Sequence, residues 1–321
     1  MTRSLYIRML LGSALAVLLL GTSLSLPDRL RKPVWNAGAR LDTIVAADVR
    51  TLATFDDARA LAVDPRGRLY VADAGRDVVA ILDTSGTVLQ MLGGSGVRPG
   101  RFTEPTDIDP TNGLQLLVAD AGNGRLQRFS SEGQFLESLP VRRPTATGSP
   151  RSVVEQDRES FAANASGRPT AVVSTPDQDI FALDGRHRTL LRWDSARRVE
   201  VFASADAAGP VALRTPVALA LDATRRLYVA DGGATAILVF DRFGTFVRRL
   251  DLPEVASSVR ALTIHDGSLW IVRPQSLTAR SPATGRVLQS QIVHLHAPLV
   301  DAAFDGARLY LLTATHLMRV Q

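Results

Sequence analysis

The chain has 321 residues, five histidines and no cysteine, so any metal or acid–base chemistry falls to histidine, aspartate and glutamate. A thiolate site, a cysteine nucleophile and a disulfide framework are excluded. The groups whose types and positions could serve are Glu104, Asp107, Asp109, His187, His265, His294, His296 and His316. His294-Leu295-His296 is the one close histidine pair, and on a strand that spacing turns both rings to one face, as two ligands of one metal require. The pair stands near the end of an outermost strand, however, where a surface or turn position is the better reading. No G-x-S-x-G, H-E-x-x-H or phosphate loop is present. Gly93-Gly94-Ser95-Gly96 lacks the lysine and following helix of such a loop and reads as a flexible connection. The residues therefore assign no catalytic group, no metal and no cofactor.

Four further aspartates, Asp73, Asp120, Asp184 and Asp231, lead to the elements that must carry any site. Each ends a copy of one motif: Leu69-Tyr70-Val71-Ala72-Asp73, Leu117-Val118-Ala119-Asp120, Ile180-Phe181-Ala182-Leu183-Asp184 and Leu227-Tyr228-Val229-Ala230-Asp231. Two weaker copies end at Arg273 and Thr313. A short apolar strand precedes each motif, as in Ala60–Val63 and Ala218–Leu221. A third strand, a glycine turn and a fourth strand follow in the clearest copies, as in Val78–Leu82, Asp83–Gly86 and Thr87–Leu92. Four short antiparallel strands repeated at this spacing predict an all-β, six-bladed β-propeller over residues 41–321. The last copy ends after three strands, and Val49–Phe55 is expected to supply its fourth, closing the ring without an open edge. The aspartates obey the repeat, which marks them as structural: a carboxylate leaving the second strand accepts backbone N–H bonds and tightens the turn.

The run Asp120-Ala121-Gly122-Asn123-Gly124-Arg125 resembles the Asp-x-Gly-Asn-x-Arg pattern of NHL-repeat six-bladed propellers. Asp73-Ala74-Gly75-Arg76 and Asp231-Gly232-Gly233 match it in part. The resemblance is good over 57–141 and 215–252, thin over 168–205 and architectural over 259–321. It implies a scaffold with a binding face and implies no reaction. Calcium-dependent lactonases and zinc-dependent amidating lyases use related propellers, with an asymmetric set of carboxylate, Asn or His ligands around the central channel. That makes a metal-dependent lactonase- or lyase-like enzyme the alternative.

The 37 basic residues exceed the 32 acidic ones, but the excess sits at the N-terminus, where Arg3, Arg8, Arg29, Arg31, Lys32 and Arg40 face only Asp28. The body is neutral overall, which disfavours nucleic acid as a partner. Residues 1–8 read as a basic n-region, 9–26 as an uncharged signal anchor or signal peptide, and 27–40 as a linker. The expected product is an exported, membrane-anchored propeller on the extracytoplasmic side, secreted if the signal is cleaved. An insertion at 142–167, holding the formal glycosylation triplet Asn164-Ala165-Ser166, projects from one face. The loops on that face carry Arg59, Arg76, Arg125, Arg168, Arg186, Arg188, Arg214, Arg260 and Arg273. Of these, Arg59, Arg125, Arg168, Arg214 and Arg260 are the candidate ligand-binding residues, suited to a protein or anionic envelope partner because each offers a planar donor fork. Full-length protein is expected to stay with membranes through an alkaline carbonate wash; recovery in the soluble fraction with a new N-terminus near Leu26 would replace the anchor with a cleaved signal.

Overall fold

The computed structural model describes residues 42–110, 113–142, 166–204, 212–252 and 258–321. The N-terminal segment and most of the 142–167 insertion, with Asn164, lie outside them. Two strands open the described chain, β1 (Asp42–Val45) and β2 (Val49–Thr54). The first blade is β3 (Ala58–Val63), β4 (Leu69–Asp73), β5 (Val78–Leu82) and β6 (Val88–Gly93). The second is β7 (Pro105–Asp109), β8 (Gln115–Asp120), β9 (Arg125–Ser130) and β10 (Phe135–Pro140). The third is β11 (Pro169–Ser174), β12 (Ile180–Asp184), β13 (Thr189–Trp193) and β14 (Val199–Ser204). The fourth is β15 (Pro216–Leu221), β16 (Leu227–Asp231), β17 (Ala236–Phe240) and β18 (Phe246–Asp251). The fifth contains β19 (Ala261–His265), β20 (Ser268–Arg273), β21 (Ser276–Arg280) and β22 (Val287–His294), and the sixth β23 (Leu299–Asp305), β24 (Arg308–Thr313) and β25 (His316–Val320). The protein is an all-β six-bladed propeller.

Each second strand reads as a continuous apolar run because it is covered on both faces. All five residues of β4, β12 and β16 are buried. The fourth strands lie at the rim, and β6 exposes Val88, Leu89 and Met91. The core is accordingly divided into wedges between neighbouring blades. Tyr70, Val79 and Ile81 of blade one pack on Phe102, Ile108 and Phe129 of blade two. Tyr310, Leu312 and Leu317 of blade six pack on Leu61, Val71 and Leu82 of blade one. Hairpin glycines hold the positive φ their turns need, +94° at Gly86 and +87° at Gly244.

The ring closes as expected. β2 pairs antiparallel with β25, from Val49 opposite Val320 to Thr54 opposite His316. Phe55 and Ala58 then donate backbone N–H bonds to the carbonyls of Thr315 and Ala314. β1 adds a feature the repeat did not announce. It pairs parallel with β22, Asp42 opposite Gln291 and Val45 opposite His294, giving blade five a fifth strand. β22 is therefore not the outermost strand of its blade, which corrects the placement of His294 there. A second correction concerns Gly93–Gly96. The Gly94 carbonyl accepts from the Phe102 N–H at 3.1 Å and the Gly96 N–H donates to the Phe102 carbonyl at 2.9 Å, so this connection is pinned. A Cβ on Gly93 would lie 2.3 Å from the Phe102 ring.

Closure by β2 has a direct consequence. A chain beginning at Asp57 loses β2, bares the β25 edge and uncovers the blade-six wedge beneath Phe55. It should melt about 10 °C or more below the full chain, or fail to melt cooperatively, in calorimetry; equal melting would show that the ring closes without β2.

Candidate functional site

The repeated aspartates build the face on which the inner strands begin. Asp73, Asp120, Asp184 and Asp231 are all buried. Asp73 accepts from the N–H groups of Asp57 (2.9 Å), Asp56 (3.2 Å) and Gly75 (3.1 Å). Asp231 does the same for Arg214 and Thr215, both at 2.7 Å, and for Gly233 at 3.1 Å. Each carboxylate thus ties the loop entering its blade to the turn leaving the second strand. Loss of one would strand several N–H donors, each worth about 1–3 kcal/mol where water cannot reach. The glycine two residues on is required by close approach: a Cβ on Gly75 would meet the Asp56 Cβ at 2.7 Å, and one on Gly233 the Arg214 Cβ at 2.6 Å. In blade six, Thr313 takes over, its Oγ1 accepting from the His316 N–H at 3.0 Å.

Six inner strands arranged around one axis leave an edge of each facing inward, and between them lies a cavity of about 740 Å³. Backbone N–H groups on such an edge need partners. Register with the second strands aligns one ring of residues across the blades: Ala60, Asp107, Ala171, Ala218, Ala261 and Asp301. Alanine recurs, and two carboxylates break the symmetry. Asp301 Oδ2 accepts the Leu61 N–H of the next blade at 2.8 Å, and its Oδ1 the N–H of Ala302 at 2.7 Å. Asp107 repeats this with Val172 (2.7 Å) and Ile108 (2.9 Å). Two residues along from Asp107, Asp109 accepts from the backbone N–H and hydroxyl of Ser174, the latter at 2.7 Å.

Neither ring carboxylate has a cation beside it, and this sets their acidity. Burial pushes the Asp301 carboxyl up from 3.8 to about 7, against the pull of its two N–H donors. Burial is also the main cause at Asp107, where the charges of Asp301 and Asp109 add to it, and its carboxyl stands well above the ordinary carboxylate range. Asp107 is half-buried and lines the cavity. Asp64, at the other end of β3, shows the contrast. Burial opposes its charge too, but backbone and guanidinium bonds from Arg68 outweigh that and hold it below the ordinary value.

The other sequence candidates scatter. Glu104 pairs with Arg168 at 2.8 Å, and His187 Nδ1 lies 2.6 Å from Asp184 Oδ2. His265 stacks on Phe304 with ring centroids 4.4 Å apart. His294 and His296 are exposed near the rim, and His316 meets the Thr315 hydroxyl. Among the described residues, no group of three or more His, Asp or Glu is placed to hold a metal ion. The channel carboxylates Asp107 and Asp301 each accept two backbone N–H bonds and belong to no such group. The five arginines divide. Arg125 is committed to Asp120 at 2.7 Å and to the carbonyls of Arg98 and Arg101. Arg59 pairs with Asp57 and Arg168 with Glu104. Arg214 and Arg260 are exposed, and among the described residues no carboxylate pairs with either. Arg59 and Arg260 line the channel; Arg125, Arg168 and Arg214 do not. Asp301 escaped the sequence reading, although aligning the inner strands register by register would have set it beside Asp107 among the alanines.

Removing Asp301 tests this environment. Its folded-state carboxyl holds a proton that the unfolded chain releases near pH 4, so the stability it contributes is full below that pH and lost as pH rises to about 7. Asp301→Ala should therefore cost more stability at pH 5 than at pH 8 in urea titrations. An equal cost at both would place its titration elsewhere.

No family model matches the chain. Solved structures resemble it in fold. A streptogramin B lyase superposes with a TM-score of 0.61 at 10% identity, covering 84% of this chain and 96% of the other. A gluconolactonase from Xanthomonas campestris gives 0.62 at 17% identity, covering 85% and 89%. A chain of the nidogen/laminin complex gives 0.55 at 14% identity, covering 77% and 85%. At these identities the likeness establishes the propeller fold that the chain shares with a lyase, a gluconolactonase and a chain of the nidogen/laminin complex, and the chemistry rests on the channel.

Proposed function

We propose that the protein is an enzyme that opens a lactone- or ester-like bond in a small molecule held in the central channel, with Asp301 and Asp107 as its acid–base pair. The observation that carries this reading is the breaking of the alanine ring by two channel carboxyls, Asp301 raised to about 7 and Asp107 raised well above the ordinary carboxylate range, since perturbed carboxyls in a cavity mark reactive sites. Asp301, which ionises at about 7, takes a proton from the attacking water, and Asp107, whose carboxyl is raised by burial, gives one to the leaving oxygen. Water is consumed: a lactone yields one hydroxy acid, and an open-chain ester yields one acid and one alcohol. This departs from the metal-dependent version of the idea, because among the described residues the channel gathers no group of three His, Asp or Glu ligands. The lyase and gluconolactonase relatives lend support as enzymes on this architecture.

A second reading keeps the propeller as a scaffold that binds a protein or anionic envelope partner through the entry face. Arg214 favours it, being exposed, outside the channel and, among the described residues, without a carboxylate partner. Anchoring through residues 9–26, an extracytoplasmic location and kinship with NHL repeats belong to the proposal on sequence grounds.

Proton release from a panel of aldonolactones and aryl esters tests the enzyme reading. Turnover should rise through about pH 7 as Asp301 ionises, survive EDTA, and fall about a hundredfold or more in Asp301→Ala. Activity that the chelator abolishes, or that Asp301→Ala leaves intact, contradicts it.

A further inference from the structure

One residue above the ring that holds Asp107 and Asp301, on the face where the inner strands begin, the six strands carry Arg59, Thr106, Thr170, Val217, Arg260 and Val300. All but Val300 line the channel. The level is lopsided. Arg59 of blade one and Arg260 of blade five flank blade six, whose ring residue is Asp301. Opposite them, Thr106 spends its hydroxyl on the Pro169 carbonyl at 2.9 Å, and Val217 is apolar. The Arg260 backbone N–H donates to the Val272 carbonyl, while the residue is exposed and, among the described residues, its guanidinium pairs with no carboxylate. Arg59 gives one nitrogen to Asp57 at 2.5 Å and retains further N–H donors of its fork.

We infer that the channel selects small organic acids, whose carboxylate is held between Arg260 and Arg59 while the reacting bond lies deeper beside Asp301. This rests on the channel reading above and names its substrate class. Charge decides for a carboxylate over a phosphate. Asp57 already offsets Arg59, so the pair presents about one net positive charge, which a monoanion neutralises. A dianion would bring surplus negative charge toward Asp107, Asp109 and Asp301. The guanidinium fork suits the planar carboxylate in two parallel bonds. A cavity of about 740 Å³ admits a molecule of metabolite size and excludes a folded partner.

Calorimetric titration of the full chain with matched pairs differing in charge tests the inference: gluconate against glucitol, lactate against lactamide, benzoate against benzamide, with inorganic phosphate as a separate arm. At least one acid should bind where its neutral partner does not. Arg260→Ala should weaken that binding about tenfold or more, while Arg198→Ala, on an exposed turn remote from the channel, should leave it unchanged. Indifference of every pair to charge, retention of affinity in Arg260→Ala, or phosphate binding tighter than every acid overturns the assignment. The enzyme reading fails separately: lactone turnover that persists with unchanged kcat/KM in Arg260→Ala leaves the channel as the site and removes the carboxylate requirement. Acid binding lost in Arg260→Ala, in a protein without turnover, leaves the selectivity and removes the reaction.

Discussion

Six sheets packed face to face around one axis must leave six inner edges unpaired, and this constraint shapes the rest of the molecule. The outer problem is solved by the chain itself, with β2 completing blade six against β25 and β1 extending blade five. The inner edges cannot pair with one another across a channel, so their N–H groups are left to water or to side chains. Asp107, Asp109 and Asp301 reach across to the neighbouring blade and accept them. A carboxyl that bridges blades in this way is drawn into a confined, protein-walled space. Structural need and chemical reactivity then meet in the same atoms.

Position relative to cations separates the acids of this propeller into two sorts. Asp64 and Asp120 are buried with arginine, and their charge is compensated where they stand. Tyr70 and Tyr228 donate their hydroxyls to Asp64 and Asp222, a second repeated bond that braces the opposite turns. Asp107 and Asp301 have only neutral N–H donors, which offset burial in part. Asp301, raised to about 7, sits where the proton is gained and lost with little driving force either way, the condition under which a carboxyl serves as acid or base. The arginines are distributed in a complementary way. Arg125 is locked into its turn by Asp120, while Arg260 lines the channel with no carboxylate partner among the described residues.

Much of this was legible in the residues. The repeat of Leu-Tyr-Val-Ala-Asp marks the second strands because those strands are buried on both faces. The turn aspartates were recognisable because a structural residue recurs with its blade. The closing strand was recognisable because an incomplete last blade demands one. β1 was not, since Asp42–Val45 is four residues long and owes its strand to pairing with β22. Arg125 looked like a ligand-binding group because sequence shows the charge and hides its partner, Asp120, five residues away on the adjoining strand. Asp301 was hidden by its setting in the weakest copy of the repeat, where the motif that would have fixed its register ends in threonine. Its acidity depends on what surrounds it in three dimensions, and no spacing along the chain encodes that.

The account turns on a channel carboxyl that exchanges its proton near neutrality. Carbon-13 NMR of the side-chain carboxyls, titrated from pH 4 to pH 9 and assigned through the signal absent in Asp301→Ala, measures this directly. A midpoint of about 7 for Asp301 is the result the structure requires. A midpoint near 4, that of an ordinary exposed aspartate, would mean that the carboxyl is already charged at neutral pH and only braces the blades.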